Sequence, residues 1–202
     1  VIEYVSLPAV LVVGWEVAVR TGFVPNTLVA SPTQVSFRLL SMALDLSLAK
    51  HVAVSLGRLS CGFLIGSSLG LLFGVLVGAS RRFSRCVEPT ILTLLPVPPI
   101  AWIPLLIITF GIGDLSKIAL ISLGSFATLF YQAAHGVRTA DRHLVELANV
   151  FQKNWFELVT EILVPAALPS VLASMRVALA LSWTLLLCSE VIASSSGLGW
   201  LI

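Results

Sequence analysis

Charge is what this sequence has least of. Asp, Glu, Lys and Arg make up 11% of its 202 residues, against roughly 25% in typical soluble domains. With 57% hydrophobic residues and a mean hydropathy of +1.01, a chain of this length holds more apolar surface than a soluble core can hide. The composition therefore predicts an integral membrane protein. The net charge of +2 comes without a basic tract, so nothing in the charge pattern points to nucleic acid and no nucleic-acid partner is expected. Cysteine is also scarce. Cys61, Cys86 and Cys188 lie far apart in or beside apolar runs, so they build neither a metal-ligand spacing nor a disulfide framework and read as small apolar filler. His51, His135 and His143 are the only histidines; no cysteine or second carboxylate completes a metal site beside them, and they read as interfacial polar residues. No Ser-His, paired-Asp or zinc constellation lies in the apolar runs, so no catalytic residue, metal or cofactor is expected. No Walker-type phosphate loop occurs, so ATP hydrolysis is not expected of this chain. There is no cleavable signal-peptide pattern, and the start at Val1 leaves room for residues upstream.

What is abundant is apolar sequence in blocks. Residues 4–19 are apolar apart from Glu16, short for a span of about 20 residues. A polar connector over residues 20–51 follows, in which 36–49 is expected to form an interfacial helix with Phe37, Leu40, Leu44 and Leu48 on one side. Residues 59–80 are uncharged between Arg58 and Arg81 and form the clearest span. They carry Gly62, Gly66, Gly70, Gly74 and Gly78, each four apart, one smooth helical stripe for close backbone approach. That stripe is either tight static packing or a rocking seam.

Arg81, Arg82 and Arg85 are expected to form a short basic loop, cytoplasmic under the positive-inside rule. The uncharged run 89–113 contains Pro96, Pro98, Pro99 and Pro104. That many prolines predict a broken helix, tolerable where protein or a water-filled cavity surrounds it. Spans over 117–136 and 168–190 follow. The latter contains Arg176, with Glu190 at its end, and charges in such positions default to function; for Arg176, snorkelling to headgroups competes with that reading. Arg138, Arg142 and Lys153 add to the inside charge, against Arg20, Arg38, Lys50, Arg58 and Lys117 outside.

The longest charged segment, residues 141–169, reads DRHLVELANVFQKNWFELVTEILVPAALP. Leu144, Leu147, Ala148, Phe151, Trp155, Leu158 and Ile162 recur at helical spacing. Gln152-Lys153-Asn154 interrupts them, and Asn154 followed by Glu157 has capping-box spacing. The pattern predicts two short amphipathic helices joined by a bend and stopped by Pro165 and Pro169, a polar surface offered to a soluble partner.

This segment resembles the cytoplasmic "EAA" loop of type I ABC-importer permeases. Glu146-Leu147-Ala148 stands in the place of the Glu-Ala-Ala triplet, and Val164 to Pro169 in the place of the Leu-Pro ending. Gln152 replaces the family's glycine, and Gln reaches positive φ poorly, so a bend of different shape is expected. The run PVPPIAWIPLLIITFGIG resembles the corresponding span of the sulfonate, taurine and nitrate importer permeases, and Glu190 with the following Ser-Gly-Leu-Gly also has counterparts there.

The resemblance implies an all-α, polytopic transmembrane bundle. Residues 1–49 would form an N-terminal span and periplasmic connector. Residues 50–202 would form the ABC transmembrane domain, with spans near 55–80, 89–112, 117–136 and 168–190 and a coupling loop over 138–165. Five spans are visible, and the sixth that family members carry is missing, which implies a truncated chain or a short form. The implied function is a permease subunit in a bacterial plasma membrane, importing a small anion or a sulfur or nitrogen compound. Implied partners are a separate ABC ATPase, a periplasmic or lipid-anchored binding protein, a second permease copy and membrane lipid. Glu146, Leu147, Ala148, Phe151 and Gln152 would couple to the ATPase; Pro96, Pro98, Pro99, Arg176 and Glu190 are the pathway or gating candidates. The rivals are an ATP-independent secondary transporter or channel, which needs a mid-span carboxylate or polar pore lining, and an inactive truncated assembly subunit.

Overall fold

A computed structural model describes residues 2–23, 25 and 29–201. The fold is all-α, with no strand among the described residues. The helices are α1 (Ile2–Arg20), α2 (Pro32–Leu44), α3 (Ser47–Ala79), α4 (Arg81–Leu94), α5 (Ile103–Phe110), α6 (Asp114–Arg138), α7 (Arg142–Val150), α8 (Trp155–Glu157) and α9 (Val164–Ala193). The chain divides into two compact units at Val52 and Ala53.

In the first unit, Glu16 is the clip between α1 and α2. It pairs with Arg20 at 2.5 Å and accepts from the Thr33 amide at 3.1 Å and the Thr33 hydroxyl at 2.8 Å. A carboxylate at a helix N-terminus is favoured by the free N–H groups there. Ser31 and Gln34 complete a capping box at the same place. The interfacial helix expected to run to residue 49 stops at Leu44. Leu46 adopts φ 60°, and the Asp45 carboxylate accepts from the Ser47 hydroxyl and amide at 2.6 and 2.9 Å, ending one helix and starting the next. Those two hydrogen bonds hold the Asp45 carboxyl below its ordinary pKa.

The second unit is built around α6. Three helical runs are long and apolar enough to cross a membrane: Ser47–Ala79, Asp114–Arg138 and Trp155–Ala193; a bent pair, Arg81–Leu94 with Pro99–Phe110, makes a fourth if counted as one span. The uncharged run 89–113 is broken, as its prolines predict. Its two arms meet at 85°, with Pro96 and Pro98 at the elbow and Pro99 opening a 3₁₀ turn, Pro99–Trp102. Pro104 breaks nothing, because it sits in the first turn of α5, where no N–H is needed. Arg81, Arg82 and Arg85 are not a loop; they are the first turns of α4, capped by Ser80, whose Oγ accepts from the Phe83 amide at 3.4 Å. A capping serine before strong helix formers suffices to start a helix.

The seam between α3 and α6 runs along the glycine stripe. A methyl group added at Gly62, Gly70, Gly74 or Gly78 would stand 2.6 to 2.7 Å from Ile121, Phe126, Phe130 or Val137, inside any real carbon contact. Ser122 adds a hydrogen bond to the Gly62 carbonyl at 3.0 Å. Between α6 and α9 the core is Ala133, Val137, Val159, Leu163, Ala167 and Val171.

Pro165 and Pro169 do not stop the helix before them. The stretch Leu158–Leu163 winds as a π-helix, closed by the Val164 amide bonding the Val159 carbonyl, and the helix continues to Ala193. The wider π turn accommodates Pro165, whose ring lacks an N–H, and Pro169 lies within α9 without ending it.

Candidate functional site

Two polar constellations lie at opposite ends of α6, a helix of 25 residues and so about 37 Å long at 1.5 Å per residue. Between them the second unit is almost wholly apolar.

At the C-terminal end of α6, Arg138 donates to both oxygens of Glu88, at 2.7 and 2.5 Å, and to Ser84 at 3.1 Å, joining α4 to α6. Asp141 then starts α7, its carboxylate accepting from the His143 amide at 2.9 Å. Ala148 is buried, and Val145 packs on the α6–α9 core, so α7 is anchored along one face. Glu146 is on its exposed side. The side chain of Leu147 lies outside the described residues. Phe151 is 73% exposed, beside exposed Val150, Trp155 and Phe156, a large apolar patch at the bend.

The bend itself is a Schellman-type C-cap. Gln152 adopts φ 51°, and the Lys153 amide bonds the Ala148 carbonyl at 3.0 Å, the six-to-one bond of that motif. Gln152 thus takes the left-handed conformation favoured by glycine, at some conformational cost. Asn154 and Glu157 form the capping box that the spacing predicts. Lys153 pairs with Glu161 at 2.6 Å, and that carboxylate raises the lysine pKa above its ordinary value. Because a non-glycine residue in the left-handed region costs about 1–2 kcal/mol, Gln152→Gly is expected to stabilise the segment by roughly 1 kcal/mol after the extra unfolded-state freedom of glycine is subtracted. Slower amide hydrogen exchange over residues 142–157 is the readout.

At the N-terminal end of α6 lies a buried charge network whose centre, Arg58, the sequence pattern set merely at the edge of a span. Because α3 begins at Ser47, Arg58 falls inside the helix and is only 6% exposed. Its guanidinium donates to Glu190 at 2.8 Å, to Asp114 at 2.8 Å, to the Ser196 carbonyl at 2.8 Å and to the Ser196 hydroxyl at 3.0 Å. Glu190 is fully buried and also accepts from Ser55 at 2.8 and 2.9 Å and from the Gly199 amide at 2.9 Å. Every oxygen of this carboxylate is engaged, which is what makes a buried charge tolerable. Gly197, at φ 116°, lies so close to Glu190 that a side chain there would meet the carboxylate. Lys117, also placed at an edge by the charge pattern, is 3% exposed and donates to the Gly113 carbonyl at 3.0 Å. The signal that sequence reading missed was spacing: Ser55, Arg58, Leu59 and Gly62 share a buried helical face only if the helix begins before residue 55.

The remaining candidates are dispersed. Arg176 stands exposed on α9, away from the network. Pro96 and Pro98 are exposed at the elbow. Pro99 lines two adjacent apolar cavities of about 360 and 370 Å³. The second of these is also lined by Thr128, Tyr131 and Thr184, a sparse polar lining in an apolar wall. No cluster of His, Cys, Asp and Glu able to hold a metal occurs among the described residues.

Residues 66–202 match the family described as binding-protein-dependent transport system inner membrane component. The chain belongs to this family. It is 36% identical over 196 residues, 97% of this chain and 71% of the relative, to the putative aliphatic sulfonates transport permease protein of Bacillus subtilis. It is 33% identical over 202 residues, 98% of this chain and 73% of the relative, to the taurine transport system permease protein of Escherichia coli. A more distant relative is the nitrate import permease protein of Synechococcus elongatus, 27% identical over 155 residues, 77% of this chain and 56% of the relative. As a member of this family the chain is a membrane transport component rather than an enzyme.

Proposed function

We propose that this chain is the permease subunit of an ATP-driven importer, working with a separate ATPase and a substrate-binding protein on the opposite side of the membrane. The observation that carries the reading is the segment after α6. A helix anchored by Ala148 and Val145 presents Glu146 outward, beside an exposed apolar patch at Phe151, Trp155 and Phe156. An apolar patch of this kind at the end of a membrane bundle fits a protein partner. The ATPase docks on α7, with Glu146 and the Gln152 bend transmitting its closure to the bundle, and this end of α6 faces the cytoplasm. Coupling between two such sites is typically about 1–3 kcal/mol. Two copies pack with the pathway between them, and the Pro96–Pro99 elbow, with the cavities flanking Pro99, is its moving wall. The names of the relatives support a small sulfonate, taurine-like compound or nitrate-like anion as cargo.

A secondary transporter would need a carboxylate reachable at mid-span. Glu190, the buried carboxylate of α9, is fully engaged by Arg58, Ser55 and Gly199, which favours the ATP-driven reading. Glu146→Lys is expected to leave the subunit in the membrane with its ATPase but to abolish substrate-stimulated ATP hydrolysis and uptake in proteoliposomes. Unchanged uptake by that variant removes the coupling role.

A further inference from the structure

Beside the Arg58 network is an open cleft of about 470 Å³ whose charges the transport reading leaves unused. Its polar lining is Arg58, Asp114, Lys117, Ser194, Ser195 and Ser196. Arg58 is saturated by the partners described above. Lys117 is not. Its ammonium carries three donors and, among the described residues, one hydrogen-bond acceptor, the Gly113 carbonyl. Among the described residues no ion pair joins it to Asp114 or to Glu190. Asp114 is the converse case: both Arg58 contacts, at 2.8 and 2.6 Å, fall on Oδ1. Among the described residues Oδ2 has no donor, on a side chain that is 64% exposed. The cleft thus combines a buried ammonium short of acceptors with an open carboxylate oxygen short of donors.

We propose that this cleft binds a small zwitterion. The acidic end, a sulfonate, carboxylate or phosphate, lies against Lys117, near the start of α6 where the helix dipole also favours negative charge, and against Ser195 of the loop after α9. The ammonium end lies against Asp114. A plain anion would meet the Asp114 carboxylate, and a plain cation the Lys117 ammonium, so only a ligand bearing both charges gains at both positions. The site stands on the geometry of the cleft and does not require the cargo assignment made above.

The test uses the full chain, purified from its native membrane with accompanying subunits, washed free of soluble binding protein and placed in nanodiscs of phosphatidylglycerol. Calorimetric titration with 2-aminoethanesulfonate is expected to show saturable binding, with ethanesulfonate and ethylamine each roughly tenfold or more weaker, the scale of one lost charge contact. Lys117→Met abolishes the binding. Ser195→Leu, on the exposed loop and outside the buried network, also weakens it, so the result does not depend on one buried substitution folding. Competition from added phosphatidylethanolamine, which presents the same pair of charges, identifies a lipid headgroup as the source of the zwitterion. Absence of binding, equal binding of ethanesulfonate, or binding unaffected by both variants overturns the proposal. If an ATPase still co-purifies in those cases, the transport reading stands without this site.

Discussion

Replacing Arg58 with methionine is expected to cost the folded chain about 3–5 kcal/mol, the usual penalty for removing one partner of a buried ion pair. Glu190 is fully buried, and without Arg58 it keeps neutral donors such as the Ser55 hydroxyl and the Gly199 amide but no cation. Neutral donors alone do not compensate a carboxylate taken out of water. The loss spreads because Arg58 also holds Asp114 at the start of α6 and Ser196 in the loop after α9, so three segments lose a common tie. The double variant Arg58→Met/Glu190→Gln is expected to recover most of the stability, since a neutral amide needs no counter-charge and retains hydrogen bonds to Ser55 and Gly199. Thermal unfolding of the detergent-solubilised chain separates the cases. If the single and double variants melt together well below the parent, the network acts through packing and not through charge.

The second large effect concerns two glycines of one helix, and the expected signs are opposite. Gly70→Ala places a methyl 2.7 Å from the Phe126 carbonyl oxygen and 3.1 Å from two further backbone atoms of α6. Backbone cannot rotate aside as a side chain can, so α3 and α6 must separate, at a cost of about 1–3 kcal/mol or more. Gly57, also in α3, has nothing within 4 Å of the same added methyl. There Gly57→Ala meets no obstacle and gains helix propensity, a stabilisation of about 0.5–1 kcal/mol. The matched pair isolates interhelical contact from propensity. Equal melting shifts for the two would show that the α3–α6 seam is looser than described.

Much of this architecture is legible in the sequence because the membrane imposes simple rules. Length and hydropathy mark the helices, four-residue spacing marks the seam, and Asn154 with Glu157 marks a helix start. What was hidden depends on tertiary context. Pro165 and Pro169 read as stops, yet a π turn precedes Pro165 and the helix runs on through Pro169. Arg81, Arg82 and Arg85 read as a loop by charge, although Ser80 caps them into a helix. Gln152 read as an obstacle to the bend, yet it enters the left-handed region, because the Lys153 to Ala148 hydrogen bond and the capping box behind it fix the turn. The buried network was the least visible. Arg58, Asp114, Lys117 and Glu190 stand on three helices, and no local pattern announces that 132 residues apart an arginine and a glutamate share one hydrogen bond.

The central claim is that this chain works with an ATPase docked on α7, and co-purification tests it most directly. The chain is extracted from its native membrane in mild detergent, once as it stands and once with Glu146→Lys and Phe151→Asp together, and the accompanying proteins are identified by mass spectrometry. The account predicts an ATPase with a Walker motif in near-equal amount with the parent chain and its loss with the double variant, while the variant itself remains folded in the membrane. Recovery of the parent chain without any ATPase, from membranes in which it still supports uptake, would contradict the account.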